Sequence, residues 1–201
     1  MMQLLAARCG QLLNIASLAN ELDVDAKTVS NWLSILQSSF ILFLLNPYYE
    51  NFNKRVTKTP KVYFYDTGLV CSLLQINTAE MLETHPAKGH LFENYVLLEF
   101  IKNNENWGKN QHYYFWAENN GNEVDLVIPA ANELHTFEIK SANSYKPEFA
   151  KQLDKLAKYA NKKTTKTVIY NGDLEFEDMN GLNVINFSKS LVIELSGAKP
   201  K

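Results

Sequence analysis

The sequence predicts a mixed α/β (α+β) chain. A winged helix-turn-helix over residues 1–76 leads through a linker, 77–88, to a mixed sheet flanked by helices over 89–201. Three observations predict this. Apolar residues fall at helical spacing in two successive runs near the start, with only "DVD" between them. The stretches "FILFLLNPYY" and "KVYFYD", rich in aromatic and branched residues, then flank a polar loop. Beyond "INTAEMLETHPAKGH", which Pro86 and Gly89 interrupt, the pattern becomes helix, three strands, helix, strand.

The elements follow in order. Ile15, Leu18, Ala19 and Leu22 mark the apolar side of the first helix of the pair, and Val29, Trp32, Leu33 and Leu36 that of the second. Asp25 is a natural N-cap for the second. The hairpin would be the wing, its loop "ENFNKRVTKT" at the tip, and Asp66 caps a short helix in "TGLVCSLLQ". "LFENYVLLEFIKNN" is apolar on most sides, so it is a buried helix. "HYYFWA", "EVDLVI" and "HTFEIK" read as strands, and "PEFAKQLDKLAKYAN" as an amphipathic helix with Pro147 in its first turn. "KTVIYNG" is a further strand, and "LNVINFSKSLVIEL" one more strand with a short helix.

With 201 residues, 46% of them hydrophobic, the chain can bury a core in one large or two small domains. A net charge of −2 gives no global basic excess, so contact with nucleic acid would rest on local patches. Cys9 and Cys71 lack motif spacing and read as buried thiols in a reducing compartment. No signal peptide and no run long enough to span a bilayer occur, so a cytoplasmic protein is expected. No P-loop pattern is present. The chain opens already in helical pattern, as a piece of something longer would.

Charges then stand where strands normally shed them, in "EVDLVIPAANELHTFEIKSA". Alternation puts Val124, Leu126 and Ile128 on one face and Glu123 and Asp125 on the other. In the next strand Phe137 and Ile139 oppose Glu138 and Lys140 in the same way. The apolar sets should face one core and the charges the other side. A turn centred on Ala131 and Asn132 places Asp125 opposite Glu138, and Glu123 opposite Lys140, with Cβ atoms about 4.5–5.5 Å apart. Pro129 makes a looser loop an equal alternative. Two carboxylates so close need a positive charge between them, and a hard divalent cation suits oxygen ligands. Glu93 lies on the apolar side of its helix with Val96, Leu97 and Phe100, where a carboxylate needs a partner, and it could join the cluster. The plain alternatives are wet strand faces, an ordinary salt bridge at Lys140, and an exposed Glu93 in the first helical turn.

Asp125 followed by "FEIKS" resembles the PD-(D/E)xK phosphodiesterase superfamily, and Glu93 in "GHLFENYV" matches the helix glutamate of its first motif. Val124 stands where that motif has proline. More closely, "LLNIASLANELDVDAKTVSNWLSILQSSFILFLLNPY", "KTPKVYFYDTGL", "GHLFENYVLLEF", "GNEVDLVI" and "FEIKSA", in that order, resemble the C-terminal portion of a family of prokaryotic AAA+-type ATPases. In that family a winged helix and a domain of unknown function (4143) follow the ATPase module. The resemblance implies a restriction-endonuclease-like sheet and an ATPase module N-terminal to this region in the full-length protein.

It also implies roles. Asp125, Glu138 and the carbonyl of Ile139 would hold Mg²⁺ or Mn²⁺, with Glu93 helping through a water or a second metal. Lys140 would orient the attacking water or offset charge on the phosphate. Glu123 would be an auxiliary ligand or the partner of Lys140, and Gln152 would position phosphate or water. DNA contacts are expected from Lys27, Thr28, Asn31, Ser34 and Gln37 on the second helix, and from Lys54, Arg55, Lys58 and Lys61 of the wing. The expected function is a metal-dependent DNA nuclease. The rival is a non-catalytic module that binds DNA or a protein and regulates the ATPase; a third possibility is a purely structural mixed domain with wet strands.

Overall fold

In a computed structural model the described residues are 1–49, 57–108, 110–119 and 121–192. The backbone divides into two compact units, Met1–Asn46 with Lys58–Asn94, and Pro47–Thr57 with Tyr95–Lys201.

The first unit opens with helix α1 (Met2–Ala6) and then the pair α2 (Ile15–Leu22) and α3 (Ala26–Ser38). The pair starts where the sequence supplies caps. The Asn14 side chain accepts from the Ser17 N–H, and Asp25 accepts from the Thr28 N–H. Between the helices Asp23 takes a left-handed conformation, φ 53°, which turns the chain sharply. Leu18, Ala19, Val29 and Leu33 are buried, whereas Trp32, expected on the apolar side of α3, is 38% exposed. The inward stripe of α3 is therefore narrower than its spacing implied.

Strands β1 (Leu42–Pro47) and β2 (Lys61–Phe64) form the expected antiparallel hairpin, with Phe43 opposite Tyr63. Residues 9–13 run along the other side of β2, where the Gly10 N–H donates to Val62 O at 2.8 Å. Gly10 has φ +74°, and a Cβ there would meet the His90 side chain at 2.8–3.0 Å, so only glycine fits. Helix α4 (Thr67–Leu73) is capped by Asp66 as expected, and a short helix α5 (Ala79–Thr84) lies within 77–88. Helix α6 (Lys88–Asn106) begins in this unit.

The second unit holds the rest of α6 and a mixed sheet. Its strands are β3 (Tyr114–Ala117), β4 (Glu123–Pro129), β5 (Glu133–Lys140), β6 (Lys163–Tyr170), β7 (Phe176–Glu177) and β8 (Leu182–Asn186), in the order β3-β4-β5-β6-β8-β7. The first three are antiparallel; β5, β6 and β8 are parallel; the two-residue β7 closes the edge antiparallel. Between β5 and β6 a 3-10 turn (Pro147–Ala150) leads into α7 (Lys151–Tyr159), which packs on β4, β5 and β6. A 3-10 segment, Phe187–Val192, stands where a short final helix was expected.

The sheet is covered on both faces. Leu153 and Leu156 of α7 are fully buried against Val127, Leu134, Val168 and Val184. Across the sheet the Phe100 ring of α6 meets Phe137 with centroids 5.1 Å apart. The expected division into an apolar core face and a charged opposite face does not hold. By register and alternation, Val127 and Leu134 share the face of Asp125 and Glu138. The charges sit at one end of a face whose middle is core. Alternation assigns neighbours to faces, but the cover on each face comes from helices distant in sequence.

Candidate metal site

The hairpin of β4 and β5 pairs Leu126 with Phe137, Val127 with Thr136, Ile128 with His135 and Pro129 with Leu134. This is the register that a turn at Ala131 and Asn132 requires. Continued one step it places Asp125 opposite Glu138, and two steps further Glu123 opposite Lys140. Asp125 and Glu138 are only 6% and 5% exposed, so they do not lie on a wet strand face.

Inside the sheet these carboxylates have definite contacts. Asp125 Oδ2 accepts the Ile139 backbone N–H at 2.8 Å. Lys140 Nζ lies 2.5 Å from Glu138 Oε1 and 3.9 Å from Asp125 Oδ2. Two carboxylates roughly 5 Å apart repel by about 3 kcal/mol at an effective dielectric of 20, which the Lys140 ammonium offsets. Lys140 is itself half-exposed, so the group opens to solvent at the end of β5. Glu123 is half-buried at the start of β4. Gln152 is half-buried on α7, and its Oε1 is buried with no hydrogen-bond partner among the described residues. The donor set of Asp125, Glu138 and the nearby backbone is all oxygen, which fits Mg²⁺ or Mn²⁺ and not a soft metal.

Glu93 belongs to the first unit and is 6% exposed. It accepts from Lys61 Nζ at 3.0 Å and from the Tyr63 hydroxyl, and His90 Nδ1 lies 3.7 Å away. Burial alone would raise its pKa, but the Lys61 charge, the nearby His90 ring and the hydrogen bonds from Tyr63 and Lys61 bring it down to about 2. The plain alternative of an exposed Glu93 in the first helical turn is thereby excluded. Lys61 is corrected as well. Expected in the basic wing, it is 2% exposed and committed to Glu93. Beside it the fully buried Asn94 side chain bonds both the N–H and the C=O of Phe64, each at 2.8 Å. Neither Tyr63 nor Asn94 was expected to matter, and Lys61 was expected in another part. The one available signal was a lysine at the head of the aromatic strand "KVYFY".

The expected DNA contacts are dispersed. Lys27, Asn31 and Ser34 are exposed on α3, but the Thr28 hydroxyl donates to Asp25 at 2.7 Å and belongs to the helix cap. Gln37 is half-buried and bonds the Leu33 carbonyl. Lys58 is exposed, and Lys54 and Arg55 lie outside the described residues. The same helix exposes Ile35 by 60% beside Trp32. Cys9 is buried and Cys71 half-buried, both as free thiols. Burial, with Glu93 nearby, pushes the Cys9 thiol up to about 12. Among the described residues no helix is long and apolar enough to cross a membrane.

Comparison with known proteins gives the following. Residues 88–189 match the family described as Domain of unknown function (DUF4143), and residues 1–80 match Domain of unknown function (DUF8612). Uncharacterized protein Rv2008c of Mycobacterium tuberculosis and uncharacterized protein Mb2031c of Mycobacterium bovis are each 33% identical over 141 residues, 70% of this chain and 31% of the relative. The chain thus spans about a third of the length of these curated relatives. Among solved structures, protein VC1899 from Vibrio cholerae is similar over 95% of this chain and 49% of its own, at 15% identity and a TM-score of 0.36, too loose a likeness to bear on function.

Proposed function

The chain belongs to the DUF4143 family, which is associated with C-terminal regions of AAA-type ATPases, and from that premise we propose that its second unit is a metal-dependent phosphodiesterase acting on DNA. The observation that carries the reading is the trio of Asp125, Glu138 and Lys140, two buried carboxylates bridged by one lysine at a solvent-facing end of paired strands. The resemblance to PD-(D/E)xK enzymes assigns their parts. Asp125, Glu138 and the Ile139 carbonyl would hold Mg²⁺ or Mn²⁺, which when bound polarises a phosphate and acidifies a water. Asp125 is held in place by the Ile139 N–H, which fixes its carboxylate before a ligand arrives. Lys140 keeps a positive charge beside the scissile phosphate and orients the water. Glu123 and Gln152 support from the flanks. In the first unit α2, α3 and the hairpin act as a winged helix, with Lys27, Asn31, Ser34 and Lys58 meeting DNA.

Melting with increasing Mn²⁺ tests the metal. At about a hundred times Kd, binding to the folded state adds about 2.7 kcal/mol. For a chain of this size that is roughly a 5–11 °C rise. Asp125→Ala and Glu138→Ala should abolish both the rise and Mn²⁺-dependent nicking of plasmid DNA. A rise that survives in both variants, or nicking by Asp125→Ala, would refute the reading. Glu93→Gln tests the part that the resemblance gives Glu93; unchanged metal affinity would confine that residue to its pair with Lys61.

A second reading has its own support. Trp32 and Ile35 expose apolar surface on α3, which suits a protein partner better than a phosphate backbone. On that reading the chain is a non-catalytic module that regulates an AAA-type ATPase preceding it in the full-length protein. The absence of any Mn²⁺-dependent shift would favour it.

A further inference from the structure

A groove of about 390 Å³ runs along α7, lined by Asn122, Lys151, Gln152, Asp154, Lys155 and Lys158. We propose that it is a track for the sugar-phosphate strand of a nucleic acid, a contact that needs no metal. Lys151, Lys155 and Lys158 recur at i, i+4 and i+7, so they share one side of the helix. The acids nearby are already answered. Asp154 accepts from Lys166 at 2.8 Å, and Glu118 accepts from Lys155 at 2.7 Å. Asn122 also donates to Glu118, at 2.7 Å. Glu148, a turn before Lys151, is exposed and does not line the groove. Lys151 and Lys158 are exposed, and neither forms an ion pair among the described residues.

The spacing selects a polymer. Seven residues of helix separate the backbone positions of Lys151 and Lys158 by about 10 Å along the axis. That spacing along the helix suits an anion whose charge repeats along its length. One lining residue is close in sequence to the candidate site. Asn122 immediately precedes β4, so about 10 Å of extended strand separates it from Asp125. The choice of nucleic acid over an acidic peptide rests on the phosphodiesterase reading; the groove's charge and length do not.

The test uses a fluorescein-labelled oligodeoxythymidylate of about 20 nucleotides, bound in EDTA and followed by anisotropy across a salt series. Each lysine–phosphate contact contributes about 0.7 to the slope of log K against log salt for a single strand. Lys151→Ala/Lys158→Ala should therefore flatten the slope by about 1.4. The control Lys102→Ala/Lys163→Ala removes the same charge from ion pairs with Glu99 and Glu133 and should leave the slope unchanged. Equal flattening in both double variants, no flattening in the first, or displacement by polyglutamate as readily as by unlabelled oligonucleotide overturns the proposal. Because EDTA removes the metal, the two readings fail separately. A flat response with the Mn²⁺ melting shift intact sinks the groove alone. A lost melting shift with the lysine-dependent slope intact sinks the cleavage site alone.

Discussion

Replacing Lys61 by methionine isolates the buried ion pair of the first unit. Methionine keeps the length and apolar stem of lysine but leaves the Glu93 carboxylate, 6% exposed, without its main counter-charge. Breaking a buried pair on one side costs about 3–5 kcal/mol, because the remaining charge is stranded. The carboxylate's own titration gives a similar size. Its pKa falls from 4.5 to about 2 in the folded protein, and at 1.36 kcal/mol per unit that is about 3 kcal/mol of stabilisation. The sign follows from the depressed value. This stabilisation is fully present above about pH 4.5 and is lost as pH falls through the folded value near 2. At neutral pH Lys61→Met should therefore melt roughly 6–20 °C below the parent by circular dichroism. Lys61→Met/Glu93→Gln should recover much of the loss, since an amide needs no counter-charge and can still accept from Tyr63. The variant should also lose the acid-limb decline attributable to Glu93. A melting temperature for Lys61→Met within 2 °C of the parent (about 1 kcal/mol or less), or no recovery in the double variant, would refute the argument.

Asn94→Ala should cost about 2–4 kcal/mol in urea unfolding, because it strands the N–H and C=O of Phe64 in a dry site; Asn94→Leu should do no better. Leu153→Ala should lose about 2–5 kcal/mol by opening a cavity between α7 and the sheet, seen as a lower urea midpoint at unchanged slope. Cys9 should resist iodoacetamide at pH 8 until urea opens the fold, read by mass spectrometry of the labelled peptide, since burial and a pKa of about 12 keep its thiol protonated.

What could be read from the chain divides along physical lines. Period-two alternation and a turn at Ala131 and Asn132 suffice to set Asp125 against Glu138, because hairpin register is a local property. The caps at Asp25 and Asp66 were legible for the same reason. Which strand faces are covered was not legible, because that depends on where α6 and α7 return. The fate of Lys61 was hidden too. Its partner lies 32 residues away, and a lysine among aromatic residues looks the same whether it caps a surface strand or neutralises a buried acid. Trp32 failed in the opposite direction. Helical spacing put it with Val29 and Leu33, but a tryptophan at the margin of a narrow stripe stays partly outside.

The hydrogen bond from the Ile139 amide to Asp125 makes one backbone proton a witness to the chemistry of a side chain. That proton's magnetic resonance moves with the charge of the carboxylate that accepts it. Its position in a nitrogen–proton correlation spectrum would jump when a cation docks there. Because the reporter belongs to the backbone, it survives substitution of Glu138 or Lys140. The influence of each neighbour on that single aspartate can then be followed without a label, a substrate or turnover.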